Sequence, residues 1–258
     1  MSDRGAIPSC CAGLYELEIT RVLLGPSLHP GGAALTRRLG AAALLHPGSL
    51  VLDVASGRGC SLAVWAEQFG SRGVGVDYSA QNLRAARELI PSDRLHWSRG
   101  EAGALPFAAD TFDAVLCECA LCTFPDMNGA VTEMLRVLRP GGRVGISDMV
   151  LEAPVPEALQ GLFGRVLCIA GARSRRGYLE TLVGAGFEAV RHEDHSSALL
   201  QMVADIEGRL GTARTLAEAG ELDLPSELLD DVELLGTARD FVRSGGVGYA
   251  LFSARKQR

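Results

Sequence analysis

The sequence predicts an α/β fold with a doubly wound, seven-stranded, mostly parallel sheet. From residue 49 onward, short apolar segments alternate with segments whose apolar residues have helical spacing, which is the pattern of repeated β-α-β units. The first segment, 49–54, is almost continuously apolar and ends in a glycine-rich turn, as expected of a parallel strand buried on both faces. With 258 residues, 47% of them apolar, the chain can bury a sizeable core.

The elements follow from the apolar pattern and from helix start and stop residues. After the first strand we expect a helix over Cys60–Phe69, ended by Gly70. The next elements are a strand at 73–77, a helix capped by Ser79, strands at 94–97 and 112–117, a helix at 127–138, a turn at 139–142 and a strand at 143–148. A helix at 176–185 and strands at 187–193 and 247–254 complete the sheet.

Three regions are expected along the chain. Residues 1–46, interrupted by prolines, form an N-terminal helical cap, and residues 47–195 form the core. Residues 196–258 form a helical insertion followed by the final strand. Two amphipathic stripes mark the insertion, Leu199, Val203, Ile206 and Leu210 in one and Leu228, Leu229, Val232, Leu235, Ala238 and Val242 in the other. Such helices dock on the sheet or cover its ligand crevice.

Charge and cysteine content exclude several classes of partner. The chain has 25 basic and 31 acidic residues and a net charge of −6, so no uniform positive field favours nucleic acid. No apolar run reaches the roughly 18 residues of a membrane-spanning helix, and the start lacks the pattern of a secretion signal. Seven cysteines is an odd count, which favours reduced thiols and a cytoplasmic protein without a membrane partner.

The loop after the first strand is the expected ligand site, because open α/β sheets bind ligands at the carboxyl ends of their strands. Gly57 and Gly59 allow a ligand close to the backbone, and the amides that open the next helix carry partial positive charge. A dinucleotide motif would need a third glycine at Leu62, which weakens a dehydrogenase interpretation. Asp77 ends the second strand, where its carboxylate can accept hydrogen bonds from an unphosphorylated ribose.

Five ordered segments resemble the class I S-adenosylmethionine-dependent methyltransferases. They are VLDVASGRG at 51–59, GVDYS at 75–79, GEA at 100–102 with LPF at 105–107, FDAV at 112–115 and LRVLRPGGR at 135–143. The resemblance implies a Rossmann-like fold and S-adenosylmethionine as cofactor. Ala55 stands where the family usually has the first glycine, and this small residue should still fit.

The resemblance also implies roles for individual residues. The methionine end of the cofactor would lie on Asp53 and the loop from Ala55 to Gly59, the ribose on Asp77, and the adenine edge on Glu101 and the Ala102 amide. The full predicted cofactor set is Asp53, Ala55, Ser56, Gly57, Gly59, Asp77, Tyr78, Gly100, Glu101, Ala102 and Cys117.

A C-x-C-x-x-C motif, Cys117, Cys119 and Cys122, lies at the end of the fourth strand. The period of two predicts that Cys117 and Cys119 share one face of the sheet and that Glu118 points to the other. Three interpretations are open. The thiols are small core residues, or they bind zinc together with His192 and His195, or they bind a soft substrate.

The cysteine context is similar to that of the arsenite methyltransferases. Carried over by position, Cys119, Cys168 and one of Cys10 or Cys11 would be catalytic thiolates that hold trivalent arsenic, and a thiol reductant would be a further partner. Three thiolates leave a lone pair on soft trivalent arsenic, so that methyl transfer needs no base. The chain departs from this branch at Glu118, where the branch tends to have Asn, and it lacks the cysteine shortly before the first strand.

Two other functions remain open. The acceptor is a small organic molecule of the quinone, sterol or natural-product type, for which His29 and Glu118 could act as general bases. Alternatively, the chain binds a metalloid through its thiols without turnover.

Overall fold

A computed structural model of the chain describes residues 29–160, 169, 171–218 and 232–258. The helices are α1 (Gly32–Ala42), α2 (Cys60–Phe69), α3 (Ala80–Leu89), α4 (Met127–Val137), α5 (Arg175–Ala185), α6 (Ser196–Glu218) and α7 (Val232–Arg243). The strands are β1 (Leu50–Val54), β2 (Arg72–Asp77), β3 (Leu95–Arg99), β4 (Phe112–Glu118), β5 (Leu138–Leu151), β6 (Phe187–Asp194) and β7 (Val247–Lys256).

The seven strands form one sheet in the order β3-β2-β1-β4-β5-β7-β6. Strands β1 to β5 pair in parallel, whereas β7 runs antiparallel to both β5 and β6. The predicted fold class is therefore confirmed. The strand order reverses between β1 and β4, so the ligand crevice of this topology lies at the carboxyl ends of these two strands.

Neighbouring residues of each central strand face opposite cores, since both faces of the sheet are covered. Val51 belongs to a core with the buried side chains of α1, α2 and the insertion, which we call the cap-side core. Leu52 belongs to a core with the buried side chains of α4 and α5, which we call the far core. This double burial is why β1 is an almost continuous apolar run rather than an alternating one.

Most predicted boundaries lie within two residues of those observed, and the main exception is β5. The expected turn at 139–142 is part of β5, which begins at Leu138 and pairs with Phe112 at the start of β4. The pairing shifts register between Phe112 and Ala114, and Gly141 has a φ of 80°. Such an irregularity lets turn residues remain next to the neighbouring strand.

The first helix packs tightly on the second. A side chain at Gly40 in α1 would place its Cβ 2.5 Å from the ring of Phe69 and 2.8 Å from Trp65. The indole nitrogen of Trp65 also donates a hydrogen bond to the carbonyl oxygen of Thr36, at 2.7 Å. These contacts fix α1, which lies within the predicted cap region, over the carboxyl end of the sheet.

The insertion contains two packed helices. Val203 and Ile206 of α6 contact Leu235 of α7 in a small apolar cluster, which agrees with the two predicted stripes; Leu228 and Leu229 lie outside the described residues. None of the described helices is long and apolar enough to cross a membrane. The region boundaries at 46 and 195 stay a prediction.

Candidate cofactor and acceptor site

The loop between β1 and α2 has a left-handed backbone at three positions. Ala55, Gly57 and Gly59 have φ values of 60°, 53° and 83°, a region that costs a residue with a Cβ roughly 1–2 kcal/mol. The predicted substitution of a glycine by Ala55 is thus accommodated, but under strain. Gly59 caps α2 without a side-chain hydrogen bond, so the positive end of the helix stays open to a ligand.

Trp97 supports this loop from the side of the sheet. It pairs with Gly75 across β2 and β3, and a Cβ at Gly59 would lie 2.1 Å from its ring. A Cβ at Gly75 would lie 2.6 Å from the same ring and from the Ser56 hydroxyl. Both glycines are therefore required by close packing with Trp97, a partly buried residue that packs against the cap-side core.

Asp77 joins the first loop to the end of β2. Its Oδ2 atom accepts a hydrogen bond from the Gly57 amide at 2.7 Å, and its Oδ1 atom accepts one from the Ser79 amide at 2.8 Å. A carboxylate oxygen can accept two hydrogen bonds, so both oxygens can also accept from ribose hydroxyls. The side chain thus has a structural role and can have a binding role as well.

Asp53 and Ser56 have polar atoms suited to a ligand. Both residues are buried, and Oδ2 of Asp53 and Oγ of Ser56 have no hydrogen-bond partner among the described residues. Burial, together with the charges of Glu118 and Asp77, raises the pKa of Asp53 well above its usual range. Three carboxylates around one loop suit a cationic ligand, and S-adenosylmethionine carries both a sulfonium and an ammonium group.

The predicted adenine side of the site lies at the ends of β2 and β3. Tyr78 is 49% exposed, and the Arg99 guanidinium lies 5.7 Å from the centre of its ring. The Gly100 amide donates to the Asp77 carbonyl at 3.1 Å. Glu101 is exposed and Ala102 half-buried in the following turn. These residues lie together at one edge of the loop, with a ring free to stack on a base.

The C-x-C-x-x-C motif does not form one thiol cluster among the described residues. Cys117 is fully buried in the far core, where burial above all raises its pKa. Cys119 is partly exposed and packs against the cap-side core, because its backbone has a φ of 51° and the strand ends at Glu118. The expectation that Cys117 and Cys119 share a face is therefore wrong, and Cys117 does not lie open to the cofactor loop.

The remaining cysteines and the two histidines of the zinc interpretation lie in separate parts of the chain. Cys122 is buried in the cap-side core, whereas Cys10, Cys11 and Cys168 lie outside the described residues. His192 and His195 lie on or next to the edge strand β6, away from β4. The described residues contain no group of His, Cys, Asp or Glu side chains that could hold a metal.

A buried polar cluster surrounds Glu118 at the end of β4. Oε2 of its carboxylate accepts a hydrogen bond from the Thr36 hydroxyl at 3.0 Å and lies 3.7 Å from Nε2 of His29. Oε1 accepts from the Ser147 hydroxyl at 3.4 Å, which in turn accepts from the Tyr249 hydroxyl at 3.1 Å. The sequence indicated His29 and Glu118 but not Thr36, Ser147 or Tyr249. Of these three, only Ser147 could have been found from the sequence, through its pairing with Glu118 across β4 and β5.

Comparison with known proteins agrees with this geometry. Residues 52–146 match the model of a methyltransferase domain. The chain is 36% identical over 157 residues to an arsenite methyltransferase of Halobacterium salinarum, a match that covers 57% of the chain and 39% of that protein. It is 32% identical over 217 residues to a demethylmenaquinone methyltransferase of Beutenbergia cavernae, and this match covers 83% of each. The chain spans 39% and 54% of the length of the first two curated relatives it matches.

Solved structures share the whole fold at low identity. The [4+2]-cyclase SpnF has a TM-score of 0.76 at 23% identity, covering 97% of the chain and 95% of its own. A phosphoethanolamine N-methyltransferase of Haemonchus contortus, solved with S-adenosylhomocysteine, has a TM-score of 0.78 at 18% identity over 99% of this chain and 58% of that one. The predicted cofactor, S-adenosylmethionine, agrees with the match to a methyltransferase domain. Loop geometry, fold and the nearly full-length match together place the chain in the family of class I S-adenosylmethionine-dependent methyltransferases.

Proposed function

We propose that the chain transfers a methyl group from S-adenosylmethionine to a small-molecule acceptor. The observation that carries this proposal is the loop at 55–59, which has a left-handed backbone at Ala55, Gly57 and Gly59 and whose Gly57 amide binds the Asp77 carboxylate at the end of β2. The bound cofactor supplies a methyl group activated by its sulfonium. Asp53 and Ser56 would hold its methionine end, Asp77 its ribose, and Tyr78 with Glu101 its adenine.

Calorimetry tests the cofactor site. We expect heat of association with both S-adenosylmethionine and S-adenosylhomocysteine, and a loss of at least tenfold in affinity for Asp77→Ala. Because Asp77 also holds the Gly57 and Ser79 amides, circular dichroism must show that the variant is folded. Asp240→Asn, a change at an exposed position of α7, is the matched control and should bind like the wild type. No heat with either ligand would contradict the proposal.

Trivalent arsenic held by thiolates is one of two candidate acceptors. Cys119 supports it, since this residue directly follows the carboxyl end of β4 and has a partly exposed side chain and a strained backbone. The similarity to the halobacterial arsenite methyltransferase also supports it. Cys119, Cys168 and Cys10 or Cys11 would be the ligands, a soft trivalent ion being suited to three sulfurs.

Arsenite turnover tests this candidate. Reduced protein is incubated with S-adenosylmethionine and arsenite, and methylated arsenic is quantified for the wild type, Cys119→Ser and Cys168→Ser. If arsenic is the acceptor, both variants lose at least tenfold in rate, whereas Cys122→Ala, a buried thiol of the same motif, stays within about threefold. Equal methylation in all four proteins would exclude thiolate ligation. Arsenite binding without demethylated cofactor would indicate a binding protein.

A small organic acceptor is the second candidate. The buried carboxylate of Glu118, which arsenic chemistry does not need, favours it. The match to a demethylmenaquinone methyltransferase over 83% of both chains supports the same class.

A further inference from the structure

Glu118 is a buried acid at a place where the fold does not require one. Its side chain is 3% exposed, and it lies below α1 at the carboxyl end of β4. Among the described residues, His29 has its ring nitrogen Nε2 within 4 Å of the Glu118 carboxylate. An ionised carboxylate is costly to bury unless it is paired or hydrogen-bonded, so a purely structural position would favour an amide or an apolar residue.

Two hydroxyl groups donate hydrogen bonds to the oxygens of Glu118. The Tyr249 hydroxyl donates to Ser147, which leaves the Ser147 hydrogen free to point at Oε1 of Glu118. The Thr36 hydroxyl donates to Oε2. Two hydroxyl donors are thus directed at the two oxygens of the side chain, which matches the acceptor capacity of a carboxylate.

His29 is arranged to receive a proton. Its Nδ1 atom lies 3.1 Å from the carbonyl oxygen of Pro30, and because a carbonyl only accepts, Nδ1 carries the hydrogen in this contact. In neutral His29, Nε2 is then without a hydrogen and faces Oε2 of Glu118 at 3.7 Å. The Thr36 hydroxyl lies 3.4 Å from this nitrogen and 3.0 Å from Oε2, so a proton held by Glu118 could move to His29 through that hydroxyl.

Glu118 also faces the cofactor loop. Asp53 pairs with Leu116 across β1 and β4, so Asp53 and Glu118 point to the same face of the sheet. The charge of Glu118 contributes to the raised pKa of Asp53, which requires the two groups to be near one another. Asp53, whose Oδ2 atom has no partner among the described residues, and Glu118 therefore lie on one face at the carboxyl ends of adjacent strands.

We propose that Glu118 is the general base of the methyl transfer and that the acceptor is consequently an O–H or N–H acid rather than a lone-pair donor such as arsenite. This inference rests on the proposed function. As the acceptor oxygen or nitrogen bonds to the methyl carbon, the carbon–sulfur bond breaks and its electron pair stays on sulfur, giving a neutral thioether. The acceptor proton goes to the Glu118 carboxylate and then, through the Thr36 hydroxyl, to Nε2 of His29. Charge and atoms balance without any further reactant.

The test compares Glu118→Gln with the wild type. The O–H probes are catechol and 1,4-dihydroxynaphthalene, the N–H probe is ethanolamine, and arsenite is the lone-pair probe. We expect the wild type to methylate at least one protic probe, and Glu118→Gln to lose about 10²–10⁴-fold in single-turnover rate, the usual contribution of a general base. The affinity for S-adenosylmethionine should stay within threefold.

The pH profile separates catalysis from a structural effect. The wild-type rate should level off at high pH, whereas the rate of Glu118→Gln should keep rising about tenfold per pH unit, because hydroxide is the remaining base. Glu188→Gln, which removes a partly exposed acid of β6, is the matched control with unchanged rate. If the Glu118→Gln protein does not fold, Glu118→Asp is measured instead. This variant keeps a carboxylate, so it should retain activity, and its pH–rate profile should be shifted relative to the wild type.

Three results would overturn the inference. They are a wild type that methylates arsenite but none of the protic probes, a wild type that binds cofactor but methylates nothing, and a Glu118→Gln variant with wild-type rate and profile. Failure of the wild type to bind S-adenosylmethionine would instead contradict the proposed function, so the two failures are distinguishable.

Discussion

Some residues at this site lower the stability of the ligand-free protein and have polar atoms that can bind a ligand. Asp53 illustrates this best, because burial and two neighbouring carboxylates raise its pKa while one of its oxygens has no partner among the described residues. A charge placed in this way destabilises the ligand-free protein and is stabilised by a cationic ligand. Cys117 is the opposite case, since its raised pKa keeps it a neutral core thiol.

The first prediction concerns Asp53→Asn. In the folded protein the raised pKa favours the neutral acid, so the contribution of Asp53 to stability is lost as the pH rises above the ordinary range near 4 and through the raised pKa. Asn does not titrate. We therefore expect Asp53→Asn to be more stable than the wild type at pH 7–8, by about 1 kcal/mol or roughly 2–4 °C in Tm, and to bind cofactor at least tenfold more weakly.

Thermal unfolding without ligand, measured from pH 4 to 8, checks this prediction. The advantage of Asp53→Asn should shrink towards pH 4, where the wild-type acid is neutral in the folded state. Asp240→Asn, at an exposed acid, should show no pH-dependent difference. If Asp53→Asn is less stable than the wild type at pH 7, or more stable by the same amount at every pH, then the ionisation of buried Asp53 does not destabilise the wild type.

At the scale of elements, the site depends on how β2, β3 and α2 meet below the loop. Two loop glycines have left-handed backbones but different surroundings. A Cβ at Gly57 would have no atom within 4 Å, whereas a Cβ at Gly59 would lie 2.1 Å from the Trp97 ring. Conformation alone constrains the first position, and packing between elements constrains the second as well.

The second prediction uses these glycines as a matched pair. Gly57→Ala should lower the free energy of unfolding by roughly 1–2 kcal/mol, the cost of a left-handed alanine. Gly59→Ala should lower it by a further 1–3 kcal/mol, because the extra methyl group overpacks the contact with Trp97. Trp97→Leu in the Gly59→Ala background should restore part of this second loss. Urea unfolding of the four proteins measures each step, and equal losses for both glycines would contradict the packing argument.

The elements also show how far the sequence could lead. The strands were predictable because β1 and β4 are buried on both faces, and the cofactor loop because Asp53 to Gly59 and Asp77 lie in local motifs. The direction of Cys119 was not, since a φ of 51° breaks the alternation that the strand pattern implies. Ser147 and Tyr249 are 102 residues apart, so only the pairing of β5 with β7 brings them together with Glu118.

At the scale of the whole molecule, the two ends of the strands have different roles, one in ligand binding and the other in stability. The carboxyl ends of β1, β2 and β4 hold the predicted site. At the opposite end, Lys256 near the end of β7 donates hydrogen bonds to Oδ1 of Asp110 and to the carbonyl oxygen of Leu138, each at 2.7 Å. It is the single lysine of the chain, and it joins the last strand to the start of β5 and to the loop before β4.

The third prediction is that stability and binding can be changed independently at these two ends of the strands. Lys256→Met keeps the apolar stem but removes hydrogen bonds to the exposed Asp110 carboxylate and to the carbonyl oxygen of the buried Leu138, and we expect a loss of about 1–2 kcal/mol in unfolding free energy. Lys256→Arg, which keeps the charge and donors, should lose less than half as much. The affinity for S-adenosylmethionine should be unchanged in both, because no described contact of Lys256 reaches the loop at 55–59. Urea unfolding and calorimetry on the same samples check this, and a parallel loss of stability and affinity would mean that the two ends are coupled through the sheet.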